Sequence, residues 1–180
     1  MKKIFALLMI AALVLMTGCG SGTADVNETT TDVAQASPVA KSIPKFTAKT
    51  IYGDTVTEEI FASKKITVVN IWGTFCPPCI AEMPELGEMA RDLPADAQII
   101  GLVCDAEENS AEVTKAQEIV KQSNVSFVNI VPDANLQQFM ENVTAVPTTI
   151  FVNSNGEVVG KAIMGADVAG YKAELSRLLK

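Results

Sequence analysis

The period of apolar and polar positions changes several times along the chain, and each change marks an element. Ile4 to Met16 is apolar without a break. Residues 20–43, "GSGTADVNETTTDVAQASPVAKSI", are polar and small and have little to bury. From Pro44 onward a folded pattern begins. "KFTAKTIYGDTVTEEI" places β-branched residues around Gly53-Asp54, which predicts a short hairpin. "ITVVNIW", residues 66–72, is a continuous apolar run, as expected of a strand covered on both faces. A helical pattern follows over 77–93, a second buried strand over 99–104, a helix over 111–122, a strand over 125–131 and a short helix over 134–142. "PTTIFVN" and "EVVGKAIM" flank Ser154-Asn155-Gly156 and predict an antiparallel hairpin. Asp167 can cap a last helix whose Val168, Tyr171, Leu175 and Leu178 share a face. Strands alternating with helices, then a hairpin and a helix, predict an α/β fold with a mixed central sheet.

The N-terminus is set apart from this fold. A short basic start, Met1-Lys2-Lys3, precedes thirteen apolar residues, too few to span a bilayer and suited to the h-region of an export signal. It closes on "LMTGC", Leu15 to Cys19, which resembles the bacterial lipobox. That resemblance implies cleavage after residue 18 and lipidation of Cys19. The organisation expected is a lipoprotein signal peptide (1–18), a lipidated Cys19 with a flexible tether (19–43) and a folded domain (44–180). About 24 flexible residues give the tether a reach of roughly 25–30 Å. An ordinary signal peptide with a chance cysteine is the plainer alternative.

Charge narrows the partners. The chain has 14 basic and 21 acidic residues, a net charge of −7, and loses Lys2 and Lys3 with the leader. No basic patch is left to support nucleic-acid binding or electrostatic attachment to anionic lipid. Membrane contact is expected through the lipid alone.

The chemistry concentrates in "WGTFCPPC", Trp72 to Cys79, directly after the first buried strand. In open α/β sheets, sites form at the carboxyl ends of strands. Pro77 and Pro78 suit the first turn of a helix, where a missing N–H costs nothing. Cys76 then stands at a helix N-terminus, where free amides and the helix dipole favour a thiolate. Cys79, one turn on, can close a disulfide with it, and the pair can exchange with another disulfide. A structural bridge over so short a loop would stabilise little. A zinc site would lack ligands: there is no histidine, and Cys104 is the only further cysteine beside Cys19. A C-x-x-C inside a βαβ pattern reads as redox-active.

This stretch resembles the active site of thioredoxin-like thiol–disulfide oxidoreductases of the TlpA/ResA/CcmG type. The likeness continues through "CIAEMPEL", with Glu82 and Pro84 at the family's Glu and Pro, through "VPTTIFVNSNGEVV" and through "PKFTAKTIYGDTV". It covers about residues 44–180. It implies a thioredoxin-like fold with an N-terminal β-hairpin and an inserted helix and strand at about 111–131. It implies Cys76 as nucleophile, Cys79 as resolving thiol, Pro77 and Pro78 as tuners of the redox pair, and a cis Pro147 that sets the Val146 backbone beside Cys76. From the residues alone Pro147 can equally be trans. The partners implied are protein disulfides and a membrane thiol electron donor of the CcdA/DsbD type, in the cell envelope. No cofactor and no metal is expected.

Other residues have a role and a plainer reading. On an ideal helix Glu82 lies within about 80° of Cys79, Leu86, Met89, Ala90 and Leu93. A carboxylate there looks along the apolar face toward the sulfurs and can take the Cys79 proton; otherwise it is solvated at the helix start. Trp72, Thr74 and Phe75 are expected to shape the rim around Cys76, with Trp72 equally suited to the core. Cys104 reads as a small buried hydrophobe, and 105–108 as a solvated acidic loop. Two rival activities remain. A thioredoxin-fold peroxidase carries P-x-x-x-T-x-x-C, but Asn70 stands where the proline would be and Cys76 follows Thr74 by two residues. A non-enzymatic copper module of similar fold uses C-x-x-x-C plus a histidine, which this chain lacks.

Overall fold

The computed structural model describes residues 40–180. The export segment, Cys19 and most of the expected tether lie outside the described residues. The tether's end needs correction. Lys41 to Ile43 is bound to the domain, with Ile43 N–H donating to Gly156 O at 2.8 Å and Val158 N–H to Lys41 O at 2.8 Å. Ile43 is buried, and its apolar side chain explains why the folded domain extends to before Pro44.

The strands are β1 (Thr47–Thr50), β2 (Thr55–Thr57), β3 (Ile66–Trp72), β4 (Ala97–Val103), β5 (Asn129–Val131), β6 (Thr148–Asn153) and β7 (Val158–Met164). The helices are α1 (Pro77–Arg91), α2 (Ala111–Gln122), α3 (Ala134–Met140) and α4 (Val168–Leu178), with a single 3-10 turn at Glu58–Phe61. The sheet runs β2-β1-β5-β4-β3-β6-β7. β4 is the middle strand, and β3 beside it is parallel to β4 and antiparallel to β6. The mixed α/β, thioredoxin-like arrangement expected from the pattern is present, and α2 with β5 forms the extra unit between β4 and α3.

All seven residues of β3 are buried, which is why it reads as an unbroken apolar run. Its two faces serve two cores. Val68 and Trp72 pack with Cys79, Met83 and Leu86 of α1, Ala116 and Val120 of α2, and Tyr171 of α4. Val69 and Ile71 pack on the other side with Phe46, Phe61, and Leu136 and Phe139 of α3. Each large apolar side chain so buried contributes about 1.5–3 kcal/mol.

Several boundaries differ from expectation: β4 spans Ala97–Val103 where the pattern predicts 99–104, and α3 ends at Met140 where it predicts 142. The strand expected over 125–131 pairs only over Asn129–Val131, because Asn124 turns the chain with φ 53° and Val125 N–H still bonds back to Val120 O. Helix α1 stops at Arg91, where the Asp92 amide bonds to Met89 O and Pro94 follows.

Candidate active site

The end of β3 delivers Cys76 to the start of α1. Cys76 is the helix N-cap, with Pro77 and Pro78 in the first turn, and its sulfur accepts a hydrogen bond from the Cys79 amide at 3.3 Å. Cys76 and Cys79 are joined in a disulfide. Cys79 is fully buried and Cys76 is 4 % exposed. Only Cys76 therefore offers an attacking or attacked atom any access. The Val146–Pro147 peptide is cis, and the Val146 carbonyl oxygen stands 3.5 Å from Cys76 Sγ. Phe75, immediately before Cys76, is 63 % exposed. An apolar groove of about 470 Å³ opens beside these residues, lined by Ile71, Phe75, Cys104, Met140, Val143 and Val146 among others.

Two expected rim residues belong elsewhere. Trp72 is fully buried among the α1 and α2 side chains. Its Nε1–H donates to Asn129 Oδ1 at 3.0 Å, so its polar atom is satisfied inside and it contributes no rim. Gly101 makes this possible, since a Cβ there would overlap the Asn129 amide. Thr74 is also buried. Its amide donates to Asp105 Oδ1 at 3.0 Å and its hydroxyl to Asp105 Oδ2 at 2.7 Å. Asp105 is thus a clamp on the cysteine loop rather than part of a solvated acidic run. The register pairs Trp72 with Val103; two more residues on each strand bring Thr74 opposite Asp105, a signal that appears only once the strands are paired.

Glu82 lies one turn beyond Cys79 and is 5 % exposed. Asn70 Nδ2 donates to its Oε1 at 2.9 Å and the Tyr171 hydroxyl contacts its Oε2 at 3.0 Å. Burial raises its pKa above the ordinary carboxylate value; the two donors oppose the rise and the charge of Glu85 adds to it. Tyr171 was legible as a core face of the last helix but not as a partner of Glu82. Its phenol is the hint, because a buried tyrosine hydroxyl needs a hydrogen-bond partner. Cys104 is half-buried on the groove wall. Burial, with the Asp105 charge behind it, pushes its thiol up to about 11, so it stays protonated near neutral pH and is a poor nucleophile.

A thioredoxin-like sheet carrying a C-x-x-C disulfide at a helix start defines the class of this protein. The chain belongs to the AhpC/TSA family, whose model matches residues 39–161. Its relatives include ResA of Halalkalibacterium halodurans, a thiol-disulfide oxidoreductase, 32 % identical over 114 residues that cover 62 % of this chain and 61 % of the relative, less than two thirds of its length. The sporulation thiol-disulfide oxidoreductase A of Bacillus subtilis is 27 % identical over 129 residues, 69 % of this chain and 74 % of that one. Among solved structures, a secreted Mycobacterium tuberculosis disulfide oxidoreductase homologous to E. coli DsbE superposes with a TM-score of 0.58 at 24 % identity, covering 73 % of this chain and 95 % of that one. It supports the fold.

Proposed function

We propose that this chain is a thiol–disulfide oxidoreductase of the cell envelope that reduces protein disulfides through Cys76 and Cys79. The observation that carries the reading is the disulfide at the start of α1, with the Cys79 amide aimed at Cys76 Sγ. That amide and the helix dipole stabilise negative charge on Cys76 in the reduced protein. The Cys76 thiolate attacks one sulfur of a substrate disulfide and expels the other as a thiolate. Cys79 loses its proton, attacks Cys76 Sγ and expels the substrate's remaining thiolate. The substrate leaves as a dithiol, and the protein is left with its own disulfide. Glu82 is the acceptor for the Cys79 proton. Pro77 and Pro78 tune the stability of the pair.

Phe75, Val146 and Pro147 form the substrate side. An extended segment pairs with the Val146 backbone, and the apolar groove beside it takes a side chain next to the substrate cysteine. Return to the dithiol needs two electrons, for which a membrane thiol donor of the CcdA/DsbD type is the proposed source, because the exported compartment is oxidising. The leader and Cys19 support attachment by a lipid. The names of the relatives support a dedicated reductant, serving cytochrome c maturation or repair of envelope proteins.

The test is the reduction potential of Cys76–Cys79 in glutathione or dithiothreitol buffers. A value near thioredoxin's, about −270 mV, is expected. A value near DsbA's, about −120 mV, reverses the role to disulfide donor. A pair that does not cycle, or rapid hydroperoxide turnover, removes the reading.

A further inference from the structure

Asn70 projects from the middle of β3 into the core beneath the disulfide and is fully buried. Its Nδ2 donates both to Glu82 Oε1 at 2.9 Å and to Thr149 Oγ1 at 3.0 Å. Its Oδ1 is buried with no hydrogen-bond partner among the described residues. A buried orphan acceptor costs about 1–3 kcal/mol, so its place directly beside a buried carboxyl calls for a reason. Tyr171, from a helix 89 residues further along the chain, closes the other side of Glu82. Its hydroxyl is shared: it stands 3.0 Å from Glu82 Oε2 and 2.7 Å from Gly165 O, and it accepts from the Asp167 amide at 3.2 Å.

A hydroxyl has one hydrogen and an amide side chain has two distinct ends. The network therefore has an arrangement for each protonation state of Glu82. With Glu82 ionised, the tyrosine hydrogen points to Oε2 and the Asn70 NH₂ to Oε1. With Glu82 protonated, the tyrosine hydrogen turns to Gly165 O and its oxygen can accept from the carboxyl. Alternatively, rotation of the Asn70 amide brings Oδ1 to the carboxyl and to the Thr149 hydroxyl, and ends its isolation.

We propose that Tyr171 and Asn70 are positioning residues that hold Glu82 ready in both protonation states, so that it takes the proton of Cys79 during disulfide exchange and later gives it up. The inference rests on the thiol–disulfide reading above and extends it to residues of β3 and α4. In the step itself the Cys79 S–H bond breaks, the Glu82 O–H bond forms, and the electron pair left on sulfur attacks Cys76 Sγ. Later loss of the proton to solvent restores the carboxylate.

The groups that bear on Glu82 are few. On α1 they are Cys79 and Glu85, on β3 Asn70, on β6 Thr149, and on α4 Tyr171 and Lys172. Lys172 pairs with Glu85 at 3.7 Å near the surface. The direct hydrogen-bonding partners of Glu82 are neutral, so burial raises its proton affinity and the two donors only oppose that rise.

The decisive experiment titrates the carboxyl carbon of Glu82 by NMR in the reduced full chain, alongside the pH profile of dithiol oxidation by a small disulfide. Tyr171→Phe removes one donor to the carboxylate. It is expected to raise the Glu82 midpoint by about one pH unit, near the lower end for a hydrogen bond to a charged group, and to move the oxidation profile with it. In the Glu82→Gln background the same substitution is expected to leave the oxidation profile where it was. Asn70→Ala removes the other donor without touching α4, and its midpoint is expected to move the same way; it decides the matter if Tyr171→Phe folds poorly. An unmoved midpoint in both variants overturns the inference. So does a profile shift of equal size in the Glu82→Gln background, which marks a merely structural role. A dithiol that does not cycle overturns the function proposed above, while the carboxyl titration still reads the network.

Discussion

Glu82 on α1 and Glu174 on α4 are buried to similar degrees, 5 % and 9 % exposed, yet their proton affinities move in opposite directions. Glu174 accepts from Arg177 Nε at 2.8 Å and from the Lys161 amide at 2.8 Å. The Arg177 guanidinium holds its carboxyl down, to about 2, in spite of burial. Glu82 meets neutral donors, and for it desolvation prevails. Surface exposure alone therefore does not set a carboxylate's proton affinity; how deeply it lies and the charge of its partners do. Glu174 ties α4 to a bulged β7, where Gly160 has φ 70°. Glu82 lies beneath the disulfide with its charge left uncompensated.

The contrast can be broken most forcefully at Glu174. Glu174→Ala leaves the Lys161 amide without its acceptor and should cost about 2 kcal/mol of stability, read as a lower denaturant midpoint with little change in the rate of disulfide exchange. The pH dependence of stability carries its signature. Because the folded pKa is depressed, this contribution is present above the ordinary value of 4.5 and is lost as pH falls toward about 2. The variant should be flatter than the parent across that window.

Gly160→Ala should cost about 1–2 kcal/mol, since φ is positive there and the new Cβ would overlap the Glu174 carboxylate. Denaturant melts of the single and double variants check the coupling: part of the cost should vanish in the Glu174→Ala background.

Glu82→Gln sharpens the contrast with the smallest change in stability and the clearest change in chemistry. The raised pKa of Glu82 means that its contribution favours the fold below the ordinary carboxylate value and is lost as pH rises through the raised one. The neutral isostere escapes that loss and should be more stable than the parent above neutrality, by about 1 kcal/mol. Thermal melts at several pH values check this. Its dithiol oxidation should lose the pH-dependent limb due to the carboxyl, and an unchanged rate profile would remove Glu82 from the proton path.

Much of the fold was legible because its signals are local. The seven buried residues of β3, the Ser154–Gly156 turn and the Asp167 cap each follow from short-range pattern, and Asp167 Oδ1 accepts from the Gly170 amide as a cap should. The helical angle that placed Glu82 on the face of Cys79 also held, with Leu86 and Met89 buried beside it. What was not legible depends on which strands become neighbours. Trp72 next to an exposed-looking motif reads equally as rim or core until Asn129, from β5, supplies a partner for its indole N–H. Asp105 reads as solvent-facing until β3 and β4 pair in register and bring Thr74 to it. Tyr171 reads as an ordinary core residue until α4 lies on α1.

By itself the sequence determined the cysteine pair, its place between a buried strand and a helix start, and the alternation that demands a mixed sheet. These depend on dihedral preference, periodicity and caps, which act over a few residues. The tertiary structure alone decided the surroundings of that pair: Val146 O against Cys76, Asp105 on Thr74, and Asn70 and Tyr171 on Glu82. Those contacts join residues 31 to 89 positions apart, except for Asn70, a neighbour in sequence that meets Glu82 only because α1 folds back over β3. A carboxyl's proton affinity follows from the groups within a few ångströms of it, and only the folded chain decides which those are.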